Sequence, residues 1–127
     1  MKLQPDKFDV QAISGYGPGW VGVNGQRVER SIVIGSKGEN FAWNCERFED
    51  LSAAHFEQLV ASKPELVVFG SGHKLRFVPP AFLRALMALR IGVETMDTLA
   101  ACRTYNILAG EGRSVVAALL VEPAPQA

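Results

Sequence analysis

One stretch of the sequence holds most of the side chains that could do chemistry. Between Met96 and Arg113, a carboxylate, a thiol, a guanidinium and an amide lie in a segment that is otherwise apolar. The candidate residues of this stretch are Asp97, Thr98, Cys102, Arg103, Asn106, Glu111 and Arg113. A second segment, Gly70-Ser71-Gly72, can turn successive backbone amides outward, which favours an anion or a polar side chain. These two segments predict a pocket for a ligand or a partner, and they name no catalytic residue.

The spacing of these residues argues against several familiar sites. Gly70-Ser71-Gly72 lacks the third glycine of a dinucleotide-binding loop and the Gly-Lys-Ser/Thr of a phosphate-binding loop. Cys45 and Cys102 are far apart and form no Cys-x-x-Cys pair, so we expect neither a metal site nor a redox dithiol. A thiol set of Cys102, His73 and Asn106 is disfavoured, because this cysteine lies inside an apolar helix rather than at an exposed helix start. No cofactor is expected.

The stretch after Met96 has the pattern of a helix. Asp97 or Thr98 is a good N-cap and Gly110 is a natural stop, so we expect a helix from about Thr98 to Ala109. At 100° per residue, one face of this helix collects Thr98, Leu99, Cys102, Tyr105, Asn106 and Ala109.

Arg103 lies at the edge of that face. An unpaired buried charge costs several kcal/mol, so the guanidinium must reach solvent or be paired. We expect it to be locked by Asp97, by Glu111 or by carbonyls of the glycine loop, because the chain supplies these partners nearby. The open alternative is a free anchor for an acidic ligand or partner.

Strand and helix patterns alternate in the second half of the chain. Leu66–Phe69 is a continuous apolar run typical of a strand buried on both faces, and Gly92–Met96 and Ser114–Val121 are further strands. Pro79-Pro80 begins a helix that runs to Arg90. This order predicts an α/β fold with a βαβαβ core and right-handed crossovers.

The carboxyl ends of neighbouring parallel strands meet at one edge of such a sheet. We therefore expect Gly70-Ser71-Gly72 and Met96-Asp97-Thr98 to lie side by side. The helix between them is apolar nearly all round from Ala81 to Leu89, which indicates that it is sandwiched or covered by a partner subunit. In the second case the covering partner is a homo-oligomer or another protein, and the sequence leaves both cases open.

The first half of the chain is patterned for antiparallel strands. Phe8–Ser14 predicts a strand that ends at the following glycine-rich segment. Asn24-Gly25 is the strongest hairpin signal, and it pairs Val21 with Val28. A single long second strand, residues 26–34, would then place Val21, Val23, Val28, Ile32 and Ile34 on one face. These hairpins predict an N-terminal antiparallel extension of the mixed sheet, or a second sheet. Farther along, a helix is expected from Asp50-Leu51-Ser52 to about Ser62.

Composition and charge narrow the class of protein. The chain has 127 residues, 48% hydrophobic and 20% charged, with 13 basic and 13 acidic side chains. We expect one domain over residues 1–127, with loose tails at 1–7 and 122–127. The evenly spread charge gives no footprint for nucleic acid or for an anionic membrane surface. Without a secretion signal or an apolar run near ~18 residues, neither membrane insertion nor export is expected. Two unpaired cysteines favour a cytoplasmic location.

The most specific spacing runs through Phe69–Gly72, Val93–Thr98, Ala101–Leu108 and Glu111–Arg113, and continues in Ala117–Leu120. In this order the chain resembles the domain-of-unknown-function family 498/598, called Mth938-like. That family includes a mitochondrial respiratory complex I assembly factor and an adipogenesis-associated protein. Ser71 is a departure, since many members have threonine there. The resemblance implies a three-layer α/β fold around a mixed central sheet, and no established catalytic residue or cofactor.

Two classes of function follow. The first is a non-catalytic interaction or assembly-factor-like module, which the resemblance and the apolar helix Ala81–Leu89 favour. The second is a small-molecule (anion) binding protein or an enzyme, which would use the pocket between Gly70-Ser71-Gly72 and Asp97–Asn106. A structure that shows a cleft at that pocket bears on both.

Overall fold

The computed structural model describes residues 10–123 of the chain, and residues 1–9 and 124–127 lie outside the described part. The strands are β1 (Ile13–Gly17), β2 (Trp20–Val23), β3 (Gln26–Val28), β4 (Ile32–Gly35), β5 (Asn40–Ala42), β6 (Leu66–Gly70), β7 (Gly92–Met96) and β8 (Val115–Leu119). The α-helices are α1 (Ala53–Glu57), α2 (Arg84–Ala88) and α3 (Thr98–Gly110). Short 3₁₀ turns cover Phe48–Asp50, Gln58–Val60 and Pro80–Leu83.

Strands from both halves of the chain build a mixed sheet of five strands in the order β5-β4-β8-β6-β7. Strand β6 pairs in parallel with both β7 and β8, while β4 pairs antiparallel with β8 and with β5. This confirms the expected α/β class and the parallel core. The carboxyl ends of β6, β7 and β8 therefore meet at one edge of the sheet.

Both faces of this sheet are buried, which makes the fold three layers deep. Along β8, Val115, Ala117 and Leu119 belong to one core cluster, and the alternate residues, Val116 and Ala118, belong to another. Helix α3 and the N-terminal sheet cover the first face, while α1 and the α2 region cover the second. Burial on both faces explains why β8 reads as a continuous apolar run.

The second core is built around an aromatic cluster. Trp43, Phe56 and Phe69 contact one another edge to face, with ring centroids 5.2 to 6.0 Å apart. All three side chains are almost completely buried. Such perpendicular contacts place the positive edge of one ring on the negative face of the next.

The N-terminal strands form a separate antiparallel sheet in the order β1-β2-β3. Asn24 and Gly25 have φ angles of 51° and 86° at the hairpin turn, and Val21 pairs with Val28. The predicted hairpin and its register are therefore confirmed. Positive φ at both turn residues matches the twist of the strands.

The prediction of one long strand over residues 26–34 is wrong. The segment breaks into β3 and β4, which belong to different sheets. Ser31 lies at the break, where its buried hydroxyl accepts a hydrogen bond from Val121 N at 2.9 Å and its carbonyl accepts one from Trp43 N. These bonds tie the crossing point to the second sheet. The five apolar residues that were predicted to share a face still share one core, because the two sheets pack against each other.

The predicted first strand is displaced along the chain. Strand β1 covers Ile13–Gly17, so the glycines expected to end it lie within it. Gly15 lies beneath the indole of Trp20, and a Cβ on this glycine would come within 3.4 Å of the ring. The glycines thus leave room for the indole on the strand. Phe8, where the strand was predicted to begin, lies outside the described residues.

The two shorter helices are less regular than their patterns predict. Helix α1 has five residues and continues only as a 3₁₀ turn, and Ser52 with His55 forms its capping box. The segment predicted as a helix to Arg90 is a 3₁₀ turn followed by the five residues of α2. Leu86 is fully buried while Met87 is 60% exposed. This helix is therefore packed on one face and is not sandwiched within the described chain.

Helix α3 begins as predicted and ends later. Asp97 is the N-cap, and its Oδ1 accepts a hydrogen bond from Ala100 N at 2.9 Å. The helix continues through Gly110, and Gly112, with φ 80°, takes the left-handed position expected of Gly110. Gly112 N and Arg113 N donate to carbonyls of the last turn. This pattern needs positive φ at the residue after the cap, which only Gly112 supplies.

The buried face of α3 also differs from the prediction. Ala101 is buried, whereas Leu99 and Asn106 are exposed. The hydrophobic period alone placed the centre of the face too far toward Leu99 and Asn106.

No helix between residues 10 and 123 is long and apolar enough to cross a membrane.

Candidate functional site

The glycine loop and the start of α3 lie side by side, as predicted. Ser71 N donates to Met96 O at 2.8 Å, and Thr98 N donates to Gly72 O at 2.9 Å. Gly72 N in turn donates to Thr98 Oγ1 at 2.9 Å. These amides, which the sequence indicated as possible anion donors, are therefore used to join two strand ends.

Thr98 holds three segments together at this edge. Its Oγ1 accepts from Gly72 N and donates to Leu120 O at 2.7 Å, and the side chain is buried. A Cβ on Gly70 would lie 2.9 Å from Thr98 Oγ1 and 3.0 Å from Thr98 Cα. Only a glycine permits this approach of strand and helix.

The hydroxyl of Ser71 is also committed to the loop itself. Ser71 Oγ donates to Lys74 O at 2.7 Å and accepts from Arg76 N at 3.0 Å. The residue is fully buried. A serine with both roles satisfied in the interior stabilises the loop and is not placed to act as a nucleophile.

A cluster that the sequence did not predict borders this loop. The carboxylate of Glu122, only 11% exposed, accepts from Arg76 Nη2 at 2.6 Å and from His73 Nδ1 at 2.8 Å. Phe48 N donates to the same carboxylate at 3.2 Å, and the Arg76 guanidinium lies 4.7 Å from the centre of the Phe48 ring. Glu122 was expected in a loose tail, and its hydrogen bonds with Arg76, His73 and Phe48 N show that it is anchored.

The electrostatics of Glu122 follow from those contacts. Partial burial acts to raise the pKa of this carboxyl, but hydrogen bonds from Arg76, Phe48 N and His73 outweigh it and lower the pKa below its ordinary value. The partners are 46 to 74 residues away along the chain. Only one sequence signal was available, namely an acid directly after an apolar strand at the carboxyl edge of the sheet.

The inner face of α3 buries its reactive groups. Cys102 is fully buried, and burial raises the pKa of its thiol to about 12. Tyr105 is fully buried too, and its hydroxyl donates to Gln11 O at 2.6 Å. Burial raises the pKa of the Tyr105 phenol as well. Neither group is ionised at neutral pH, so neither is prepared for nucleophilic or base chemistry.

The predicted ion pair of Arg103 is wrong. Arg103 is exposed, and its Nη1 donates to the hydroxyl of Tyr16 at 3.2 Å. That hydrogen bond raises the pKa of the guanidinium. The Asp97 carboxylate instead accepts from Ala100 N at the start of the helix, and Glu111 lies at the C-cap, where its backbone N–H donates to carbonyls of the last turn. Arg103 projects outward because the true buried face of α3 is centred away from it.

Asn106 is exposed, yet its side chain has a structural role. Its Nδ2 donates to Ile13 O and its Oδ1 accepts from Ile13 N, both at 2.9 Å. The carboxamide thus pairs with the free edge of β1 as a neighbouring strand would. Pairing of this kind protects a sheet edge that would otherwise present unsatisfied backbone groups.

The last two candidate residues lie at the far end of α3. Arg113 Nε is 3.2 Å from Glu65 Oε1, and Arg113 O accepts from Ser36 Oγ at 2.8 Å. A helix of 13 residues is about 20 Å long, which separates Glu111 and Arg113 from the glycine loop. The predicted site residues therefore do not form one site. Of these candidates, the glycine loop, Asp97 and Thr98 meet at the carboxyl edge of the five-stranded sheet.

A pocket of about 280 Å³ opens at that edge of the sheet. It is lined by Gly17, Pro18, Gly19, Trp20, Gly72, His73, Thr98, Leu99, Leu120, Val121, Glu122 and Pro123. Its walls are mostly apolar, and Gly72 and Thr98 are the lining residues that the sequence named as candidates. The β1–β2 turn and the C-terminal wall were missed, because they come from opposite ends of the chain.

Among the described residues, the buried polar groups are satisfied and no set of metal ligands is present. Between Val10 and Pro123, every buried side-chain nitrogen and oxygen has a hydrogen-bond partner. The same part of the chain contains no group of three or more side chains placed to hold a metal ion. The mostly apolar walls of the pocket are suited to contact with an apolar group.

Comparison with known proteins gives relatives of matching fold. A protein from Bos taurus named NADH dehydrogenase (ubiquinone) 1 alpha subcomplex assembly factor 3 is 35% identical over 103 residues, which are 80% of this chain and 55% of that protein. The chain thus spans about half of the length of that relative. A crystal structure of a Bordetella parapertussis protein is 39% identical with a TM-score of 0.82, covering 89% of this chain and 97% of the other.

A solution structure of a Mth938-like domain from Bordetella pertussis is 32% identical, with a TM-score of 0.82 and coverage of 98% of this chain and 94% of the other. The family model described as a protein of unknown function (DUF498/DUF598) matches residues 13–120. That range includes the glycine loop, all of α3 and both sheets. By this match the chain belongs to the DUF498/DUF598 family, with the Mth938-like fold.

Proposed function

We propose that this chain is a non-catalytic protein-interaction module of the assembly-factor type. The bovine relative is named as an assembly factor, and it shares 35% of its residues with this chain over the matched region. Because the chain spans only 55% of that protein, the proposal concerns an assembly-factor-like role and not the whole relative's activity. The cytoplasmic location expected from the sequence stays a prediction.

One observation carries the proposal, namely that the polar groups of the family-specific segments serve the fold. Thr98 and Asn106 are each satisfied by backbone groups of other segments, and the Ser71 hydroxyl is satisfied by backbone groups of its own loop and by Met96 O. The Cys102 thiol is buried and its pKa is raised. Catalysis needs a nucleophile or base that reaches the substrate. These residues supply none, and they build a rigid frame for a surface.

The surface of that frame offers several apolar contact groups. Phe77 is 69% exposed and Ile107 is 61% exposed, and Met87 is also mostly exposed. Single exposed apolar side chains are common, so they support the proposal only together with the preceding observation. They do provide positions from which binding of a partner can be detected.

Photo-crosslinking in the cells that produce the protein tests this function. The full chain would carry p-benzoyl-phenylalanine in place of Phe77, Met87 or Ile107, and in place of Lys37 as a control in an exposed polar turn. We expect at least one of the three apolar positions to give an adduct of defined mass with another protein, while the control position gives none. Absence of an adduct at all three positions would contradict the interaction function.

A further inference from the structure

We propose that the outer face of α3 and the pocket at its N-terminal end form one docking site for a helix of a partner protein, which presents an acidic residue to Arg103. The site consists of Leu99, Arg103 and Ile107 on the helix, with Tyr16 beside them, and we call it the α3 docking face. This inference rests on the proposed function and adds the surface and the chemistry of the partner.

The first step is the stripe along α3. Leu99, Arg103 and Ile107 are spaced four residues apart, so they lie on one face of the helix over about 12 Å. Leu99 is 38% exposed and Ile107 is 61% exposed, and Arg103 between them is exposed. A ridge of exposed side chains four residues apart is a surface against which a second helix packs.

The second step is the continuity of this stripe with the pocket. Leu99 is part of the stripe and lines the pocket. On the other side, Tyr16 contacts Arg103 and is followed in the chain by Gly17, which also lines the pocket. The stripe and the pocket therefore form one surface. At ~30 Å³ for each water, the pocket's 280 Å³ equals about nine water volumes, enough for one large apolar side chain.

The third step is charge. The ion pairs of residues 10–123 do not include Arg103, whose partner is the neutral hydroxyl of Tyr16. Its guanidinium can therefore still form a bidentate pair of hydrogen bonds with a carboxylate. Tyrosine and arginine beside a pocket that receives an apolar anchor are the residues that dominate binding energy at interfaces. Charge complementarity thus requires an acidic group on the occupant.

A second copy of this chain fits the same surface poorly. In a two-fold symmetric contact through the centre of the stripe, Arg103 would face Arg103 of the other copy. Like charges in contact oppose association. The occupant is therefore a different protein, whose helix carries a large apolar anchor for the pocket and an acidic residue for Arg103.

The test uses the full chain with p-benzoyl-phenylalanine at position 107, in the cells that produce it. We expect an adduct with another protein, and adding Arg103→Glu should lower its yield at least ten-fold. Arg84→Glu is the matched charge reversal, at an exposed position on α2, and it should leave the yield unchanged. Leu99→Glu, which puts a carboxylate at the pocket, should also lower the yield. Thermal melts of each variant verify that the fold is retained.

The crosslinked peptide then identifies the carboxylate. Changing its acidic residue to lysine should restore the adduct with Arg103→Glu and weaken it with the original arginine. An adduct at position 77 or 87 without one at 107 would overturn the docking site and leave the interaction function standing. Two other results would overturn the proposed partner. One is an adduct at position 107 whose yield does not change with Arg103→Glu, and the other is an adduct formed with a second copy of this chain or with a small molecule.

Discussion

The two faces of α3 use similar residue types in opposite ways. On the inner face, Cys102 and Tyr105 are fully buried, and the tyrosine hydroxyl is bonded to a backbone carbonyl of the N-terminal segment. On the outer face, Arg103 and Ile107 are exposed, and the guanidinium lies beside Tyr16, to whose hydroxyl it donates at 3.2 Å. Residues 102 and 103 are neighbours in sequence, and a rotation of 100° about the helix axis separates a core thiol from a surface cation.

This difference shows where function should be sought. A polar group that is buried and satisfied stabilises the fold, and removing it costs free energy of unfolding. A polar group that is exposed and only weakly engaged can be removed with little change in stability, and it is available for binding. Four predictions probe this distinction between the faces.

Tyr105→Ala should give the largest effect. Removing a fully buried aromatic side chain costs about 3 to 5 kcal/mol. Tyr105→Phe keeps the ring and loses the bond to Gln11 O, so it should cost only about 1 kcal/mol. Urea unfolding of the three proteins measures both values. Equal losses for the two variants would show that the ring does not support the core.

Asn106→Leu should lower stability although Asn106 is exposed. Both the N–H and the carbonyl of Ile13 lose their partners, so we expect a loss of about 1 to 3 kcal/mol. Ile107→Ala, the neighbouring exposed position, is the control and should change little. Urea unfolding measures both losses of stability. A larger loss for Ile107→Ala than for Asn106→Leu would show that the hydrogen bonds of Asn106 do not stabilise the fold.

Cys102 should resist alkylation in the folded protein. Burial excludes the reagent, and the thiol pKa of about 12 keeps the thiolate fraction small even at pH 9. With Cys45→Ala as background, iodoacetamide labelling followed by mass spectrometry should be slow at pH 7 and at pH 9, and fast in urea. Rapid labelling at pH 7 without denaturant would mean that the inner face opens readily.

Arg103→Ala should have the smallest effect on stability. The side chain is exposed and makes no ion pair within residues 10–123, so its loss removes only the contact with Tyr16. We expect the melting temperature to match that of the original protein in differential scanning calorimetry. A clear drop would reassign Arg103 to the group of residues that stabilise the fold.

Local signals predicted those features that depend on neighbouring residues. Asn24-Gly25 specified its hairpin, because few residues tolerate positive φ in succession. Asp97 specified the start of α3 through its short side chain. The alternation of strands and helices predicted that the glycine loop would meet this helix start, and the hydrogen bonds between Gly72 and Thr98 confirm it.

Features that depend on distant residues were not predictable in this way. The break at Ser31 depends on Val121, and the anchoring of Glu122 depends on Arg76 and His73. The partner of Arg103 comes from a strand 87 residues earlier in the chain. No periodicity or spacing rule connects such pairs, since they are brought together only by packing.

The sequence by itself determined the α/β class, the hairpin and the start of α3, because these follow from backbone preferences and from the order of apolar segments. The family was identified by resemblance to known sequences. The tertiary structure decided which polar groups remain available. It used Thr98, Ser71 and Asn106 to join distant segments, and it left Arg103 on the surface. The physical reason is that hydrogen-bond satisfaction and burial are properties of the assembled layers, which bring together groups far apart in the chain.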